Sequence, residues 1–270
     1  MLTTLRRGTT SLLAIPYYLL GCTIIEPRRT AAFLRSIYAF YQSESLYSRS
    51  RSCIPPFNAT ELFPGIFNTP VCLRDVGPSG GSPTSFEIYV LASLVGYALP
   101  RSIFEFGTFE GRTTLQFAIN SPDEALIYTI DLPANNVVTR YPRAYASESR
   151  ARRLPVGGCF HGQPESRKIT QLTGDSATHN LDEFRERVEF CFVDGDHSFE
   201  YVKADSENAF RMLAPGGLIL WHDYSGSWPS VSQYLRELAR TKSLYHIAET
   251  SIVVYGPTLQ PRTQYENDGP

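Results

Sequence analysis

The sequence predicts an α/β fold: a doubly wound, mostly parallel seven-stranded sheet, closed by a C-terminal β-hairpin and preceded by an N-terminal helical extension. Three observations carry this. From residue 102 onward, short apolar runs alternate with segments of helical spacing, the pattern of a parallel sheet with helices on both faces. The last two apolar runs lie too close together for a helix between them, so they read as a hairpin. The chain has 270 residues, enough for one large core and an appendage, and at 42% hydrophobic and 19% charged its composition is that of an ordinary globular protein.

The elements follow in chain order. Arg6 and Arg7 precede an apolar run from Leu12 to Ile25 that Pro16 interrupts. It is shorter than the ~20 apolar residues that span a bilayer, and reads as an apolar helix packed on the main domain or lying at a membrane surface. A secretory or lipidated signal is the alternative. Phe33, Leu34, Ile37, Phe40 and Tyr41 are spaced as one face of a helix, with arginines opposite. Residues 53–70 are punctuated by proline and glycine and read as irregular. The stretch 76–85 reads as a linker, with Ser85 capping a helix over 86–98. Strands are expected at 102–106, 125–131, 168–174, 188–194 and 217–223, with closing strands at 245–249 and 251–256. Helices are expected at 111–119, 178–186, 198–213 and 229–241. The organisation expected is an extension over 1–83, serving as a lid or a membrane-surface contact, the main α/β domain over 84–256, and a disordered tail over 257–270.

A formal net charge of −2 gives no electrostatic reason to expect a nucleic-acid partner. The five cysteines are scattered, with no CxxC, so neither a disulfide framework nor a zinc site is indicated. A cytoplasmic location is the expectation, with peripheral membrane association through the N-terminus and a homo-oligomer both left open.

Parallel sheets of this kind bind ligands beyond the carboxyl ends of their strands. After the first central strand comes "FGTFEGRTT", in which Gly107 and Gly111 permit a tight turn and a close backbone approach at a helix N-terminus. The spacing is GxxxG, not the GxGxxG of pyrophosphate-binding folds. Glu105 at that strand end suits a cationic amino group better than a phosphate. Asp131 ends the second strand, where a carboxylate commonly accepts from ribose hydroxyls. Asp175 and Ser176 follow the third, where the carboxylate can accept from an adenine amino group. Asp131 could instead open a turn, and Asp175 or Ser176 cap the next helix.

Together "EFGTFEGRTT", "IDLP", "GDS", "FVDGDHS" and "APGGLILWHDY" resemble class I S-adenosylmethionine-dependent methyltransferases, which are Rossmann-like. The resemblance covers about residues 84–256 and is nearest to small-molecule O-methyltransferases with a DGDH motif, including macrolide-sugar and catechol-type metal-dependent enzymes. It implies that Glu105 and Thr113 hold the methionine moiety, Gly107 and Gly111 shape the loop, Asp131 takes the ribose, and Asp175 with Ser176 the adenine side, with Asp194 beside the cofactor. It also implies a divalent cation, magnesium or manganese, on Asp194, His222 and Asp223, and His197 as the general base. His222 departs from the usual acid, and a nitrogen ligand suits manganese, iron or zinc better than magnesium; alternatively His222 orients the ligands from behind and Asp196 completes the metal shell.

The residues themselves support that chemistry. Oxygen ligands suit hard cations, a bound cation lowers a hydroxyl pKa, and histidine titrates near neutrality. The alternative is a set of caps, with Asp196 or Ser198 starting the helix at 198 and Asp223 stabilising a turn. Asp196 is left as either a ligand or a cap. His161, in the long 132–167 insertion, is a candidate border of the acceptor site; His179 and His246 read as structural. Trp221, Tyr224 and Trp228 are candidates for pocket or core. The expected activity is methyl transfer to a hydroxyl of a small-molecule acceptor, a sugar or another natural product. The rivals are a nicotinamide-dependent oxidoreductase, which GxxxG disfavours, and a non-catalytic cofactor-binding subunit.

Overall fold

A computed structural model describes residues 53–76, 81–133, 138–144 and 154–261. The apolar run at 12–25, the helix expected at 33–41 and the end of the tail from 262 fall outside them.

Eight strands form one sheet: β1 (Pro56–Phe57), β2 (Ser102–Phe106), β3 (Leu126–Asp131), β4 (Ile169–Thr173), β5 (Val188–Val193), β6 (Leu213–Trp221), β7 (Tyr245–Ile247) and β8 (Val253–Tyr255). Their order across the sheet is β1-β7-β8-β6-β5-β2-β3-β4. All neighbours run parallel except β8, which is antiparallel to both β6 and β7. The chain therefore winds outward from β2 to β4, then crosses back through β5 to the other half. The switch lies between β2 and β5, where Phe106 pairs with Val193. Such a switch leaves a crevice at the carboxyl ends.

The central strands are apolar on both sides because both sides are covered. Phe104, Phe106, Ile130, Val193 and Trp221 pack on one face, against Val202, Ala209 and Met212 of α4 (Phe199–Met212) and Val231 and Leu235 of α5 (Pro229–Leu238). On the other face lie Ile103, Ile127, Phe190, Phe192 and Leu220. They meet Val90, Leu91 and Leu94 of α2 (Ser85–Ala98) and Phe117 of α3 (Arg112–Asn120).

Four expectations are corrected. An eighth strand, β1, joins the edge of β7, and Phe57 meets Tyr245 edge to face at 5.8 Å. Its shortness and its proline hide it from pattern reading, but an edge strand tolerates proline. With Ile54, Phe63, Ile66 and the residues Ala59 and Leu62 of α1 (Ala59–Leu62), it places residues 54–66 within the sheet domain rather than in an extension ending at 83. Thr84, not Ser85, caps α2: Thr84 Oγ1 accepts from Glu87 N at 3.2 Å, and Glu87 Oε2 accepts from Thr84 N at 2.8 Å. The helix expected at 178–186 is reduced to a single 3-10 turn at Asp182–Phe184. Asn180 Oδ1 accepts from Asp182 N at 3.0 Å, a local bond that competes with helix formation. Lastly, β6 begins at Leu213, directly after α4, and a register shift against β5 between Val188 and Phe190 absorbs the "APGG" turn.

No helix of the described residues is long and apolar enough to cross a membrane.

Candidate active site

A cavity of about 270 Å³ opens along the carboxyl edge of the sheet. Each central strand delivers residues to it: Gly107 and Phe109 after β2, Asp131 and Leu132 from β3, Gly174 to Ser176 after β4, Asp194 to His197 after β5, and His222 and Asp223 after β6. Tyr201 of α4 and Trp228 at the start of α5 complete much of the wall.

Backbone geometry dominates the half formed by β2, β3 and β4. Gly107 has φ +96°, and a Cβ there would sit 2.0 Å from the carbonyl oxygen of Asp194, so only glycine fits. Asp131 accepts from Phe109 N through Oδ2 and from Leu132 N through Oδ1, both at 2.7 Å. Asp175 Oδ2 accepts from Arg140 N at 2.6 Å and from the Tyr201 hydroxyl at 2.9 Å, while Oδ1 accepts from Ala177 N at 3.0 Å. Asp131 and Asp175 thus face the cavity as carboxylates fixed by donors, and Ser176 lies between them and α4, its carbonyl accepting from Asn208 Nδ2 at 3.1 Å.

Three residues expected on this side do not line the cavity. Glu105 is 1% exposed and turns toward α3, where Oε2 accepts from Thr114 Oγ1 and, at 2.6 Å, from Thr129 Oγ1. Burial pushes its carboxyl up to about 8, against the opposing pull of those hydroxyls. Thr113 is buried in α3 next to Thr114. Gly111, with φ +81°, makes room not for a ligand but for Phe160, whose ring would lie 2.5 Å from a Cβ at that position.

The other half, from β5 and β6, is an assembly of charges. His222 Nδ1 lies 2.9 Å from Asp194 Oδ1 and 3.3 Å from Asp223 Oδ2, while Nε2 lies 3.4 Å from Glu87 Oε2. Burial alone would lower the His222 pKa, but the charges of Asp194 and Asp223 outweigh it and raise it well above its ordinary value. Burial raises Asp194; for Asp223 burial is outweighed by His222 and His197, which hold its carboxyl below the usual range. His197 Nε2 lies 2.7 Å from Asp223 Oδ2, and its ring stacks on Trp228 with centroids 3.7 Å apart and planes 15° apart. Asp223 itself has φ +62°, a left-handed conformation that costs a side-chain-bearing residue about 1–2 kcal/mol.

One donor atom each from Asp194, His197 and Asp223 lies within 4.8 Å of the others. His222, the nitrogen donor of the expected set, also turns Nδ1 toward Asp194 and Asp223 and Nε2 toward Glu87. Asp196 resolves as a tether. Oδ1 accepts from Ser198 N at 2.8 Å where α4 begins, and from Ala144 N at 3.0 Å.

Sequence reasoning missed Glu87 and Ser251. Glu87 Oε1 accepts from both Ser251 N and Ser251 Oγ at 2.7 Å, and Ser251 Oγ in turn accepts from Asp223 N at 3.3 Å. The T-x-x-E signature at 84–87 announces a capping box, the one available signal; nothing local marks Ser251. Of the candidate aromatics, Trp228 lines the cavity, whereas Trp221 is fully buried with Nε1 donating to Ser206 Oγ at 2.8 Å, and Tyr224 packs near His246. His161 is exposed beside Phe160, away from the lining residues. His246 is structural, its Nε2 2.6 Å from the Thr250 carbonyl oxygen.

Residues 104–224 match the family model of a methyltransferase domain, a span that runs from β2 to just beyond β6 and contains most of the cavity wall. No curated protein matches the sequence. Among solved structures, the chain is similar to the O-methyltransferase TomG from Streptomyces achromogenes, solved with S-adenosylmethionine, at 14% identity and a TM-score of 0.44; 81% of this chain and 98% of that one are covered. It is similar to CalS11, a calicheamicin methyltransferase, at 17% identity and a TM-score of 0.47, over 64% and 78% of the two chains. It is also similar to the methyltransferase PaMTH1 from Podospora anserina, bound to S-adenosylhomocysteine, at 12% identity and a TM-score of 0.48, over 79% and 93%.

Proposed function

We propose that this methyltransferase domain transfers the methyl group of S-adenosylmethionine to a hydroxyl of a small molecule, a sugar or another natural product. The observation that carries the reading is a single cavity whose one half presents Asp131 and Asp175, and whose other half presents the His197–Asp223 pair.

Methyl transfer from a sulfonium is an in-line displacement. The acceptor oxygen forms a bond to the methyl carbon as the carbon–sulfur bond breaks, and S-adenosylhomocysteine leaves as a neutral thioether. Holding the two reactants in line supplies much of the rate. In this reading Asp131 accepts from the ribose hydroxyls and Asp175 from the adenine side; the backbone donors that orient each carboxylate support it. The hydroxyl proton passes to His197. Asp223, 2.7 Å from Nε2, stabilises the imidazolium that results, and Trp228 fixes the plane of the ring.

The donor set also fits a divalent cation: two carboxylates and imidazole nitrogen converge, a mixed set that suits manganese or zinc as well as magnesium. Asp194 and Asp223, with Nδ1 of His222 beside both, would hold it, leaving His197 as base, and the cation would lower the hydroxyl pKa and orient the acceptor.

Isothermal titration with S-adenosylhomocysteine, repeated with magnesium and with manganese, tests this reading. Micromolar binding is expected. Absence of binding overturns the methyltransferase reading, and turnover that ignores chelators and added metal overturns the cation.

A further inference from the structure

Glu87 does more than a capping residue needs. A capping box requires one carboxylate oxygen on the backbone N–H of the cap, and glutamine serves as well as glutamate. Here Oε2 accepts from Thr84 N at 2.8 Å and also faces His222 Nε2 at 3.4 Å. Oε1 takes two donors from Ser251 at 2.7 Å, 164 residues away in sequence. The side chain is 6% exposed, and a buried charge is costly unless it is paired and hydrogen-bonded. Its partners come from three elements distant in sequence: the start of α2, the β7–β8 turn, and the exit of β6.

Two of those partners lead to the reacting groups. His222, reached from behind, presents its other nitrogen to Asp194 and Asp223. Ser251, through Oγ and its carbonyl oxygen, receives Asp223 N at 3.3 Å and Tyr224 N at 2.9 Å, and so holds the segment in which Asp223 keeps its left-handed backbone. Glu87 is absent from the cavity wall.

We propose that Glu87 is a positioning residue: from the N-terminus of α2 it fixes the ring of His222 and, through Ser251, the backbone of Asp223, and thereby sets the arrangement of Asp194, Asp223 and His197. The arrangement of a carboxylate behind a histidine whose other nitrogen faces the site is a common way to fix ring orientation. The role in turnover rests on the methyl-transfer reading above; the role in orienting His222 does not.

The test compares Glu87→Gln, which keeps the cap and the shape, with Glu87→Ala and Ser251→Ala in the full chain. Nitrogen-15 NMR of the histidine rings reads His222 directly, assigned by its loss in His222→Asn. Glu87→Gln is expected to shift the His222 ring-nitrogen signals by more than 10 ppm. It should lower kcat at least tenfold, yet keep the melting temperature within a few degrees and S-adenosylhomocysteine affinity within threefold. Ser251→Ala is expected to fall between Glu87→Gln and the wild type in kcat. Unchanged His222 signals in Glu87→Gln, or a kcat loss that tracks only the loss of melting temperature across the three variants, would overturn the proposal. If no variant and no wild-type sample binds S-adenosylhomocysteine, the methyltransferase reading fails, while the ring-nitrogen signals still decide the positioning role.

Discussion

The two halves of the cavity solve the problem of presenting carboxylates in different ways. In the half formed by β2, β3 and β4, Asp131 and Asp175 receive neutral donors, mostly backbone N–H groups, one from each residue's own turn and the rest from neighbouring loops and the Tyr201 hydroxyl. In the half formed by β5 and β6, Asp194 and Asp223 are held by imidazoles delivered from different strands and backed by a helix. The first is neutral in design and built mostly on backbone donors, so it gives a surface against which a ligand can be laid. The second is long-range and electrostatic, so its members depend on each other's charge, which suits a place where a proton must move. Binding and chemistry should therefore be separable by mutation.

The largest separation is expected from His197→Ala. Loss of a general base costs typically about 10²–10⁴-fold in rate, while S-adenosylhomocysteine affinity should stay within about threefold. Parallel steady-state kinetics and calorimetry check this; equal losses in both would show that the halves are not separable. Gly107→Ala attacks the point where the halves touch. Overpacking typically costs about 1–3 kcal/mol, to which the left-handed backbone adds a similar amount. Chemical denaturation should show the loss, and both affinity and kcat should fall together. Asp131→Ala should weaken S-adenosylhomocysteine binding about 10-fold or more, since it removes the proposed ribose contact and strands two N–H donors, at about 1–3 kcal/mol for each that is left buried. kcat at saturating cofactor should change much less.

The smallest effect concerns Glu105, whose carboxyl lies outside both halves. Its pKa rises from an ordinary 4.5 to about 8 on folding, so the native state binds the proton more tightly than the unfolded chain. That contribution to stability is complete below about 4.5 and is lost as pH rises toward 8. Glu105→Gln should flatten this part of the stability–pH profile, measured by denaturant unfolding at several pH values, and leave S-adenosylhomocysteine affinity unchanged. A large loss of affinity would return Glu105 to the cofactor site.

This contrast also explains what could be read in advance. The central parallel strands were legible because β2, β5 and β6 carry apolar residues on both faces and each is followed by a helix-spaced segment, whereas β4 is only half-buried and β3 leads into the 132–167 insertion. The glycine and carboxylate at each strand end were legible because local turns require them. Side-chain direction was less so: Glu105 sits on the strand face that carries Ile103, and Thr114 and Thr129 meet it there, before the chain reaches the cavity. Gly111 looked like a ligand loop, but its constraint comes from Phe160 in the insertion, a contact no spacing announces. The identity of the acids was visible at β5 and β6, whereas Glu87 and Ser251 enter only when three distant elements are folded together. What is built from local turns can be read from a sequence; what is built from charges brought together by topology is largely hidden.

The two-residue strand β1 has a consequence for how the chain behaves in a crowded solution. β7 has β8 on one side and would otherwise offer its other edge, a row of unpaired backbone donors and acceptors, to any passing strand. Pro55 and Phe57 take those donors, with His246 N and Ala248 N donating at 3.0 and 2.9 Å, and the proline at 56 cannot itself recruit a further strand. Cutting the chain back to residue 84 would remove this cover and the apolar residues beneath it, leaving a sheet with its pattern intact and a margin prone to self-association.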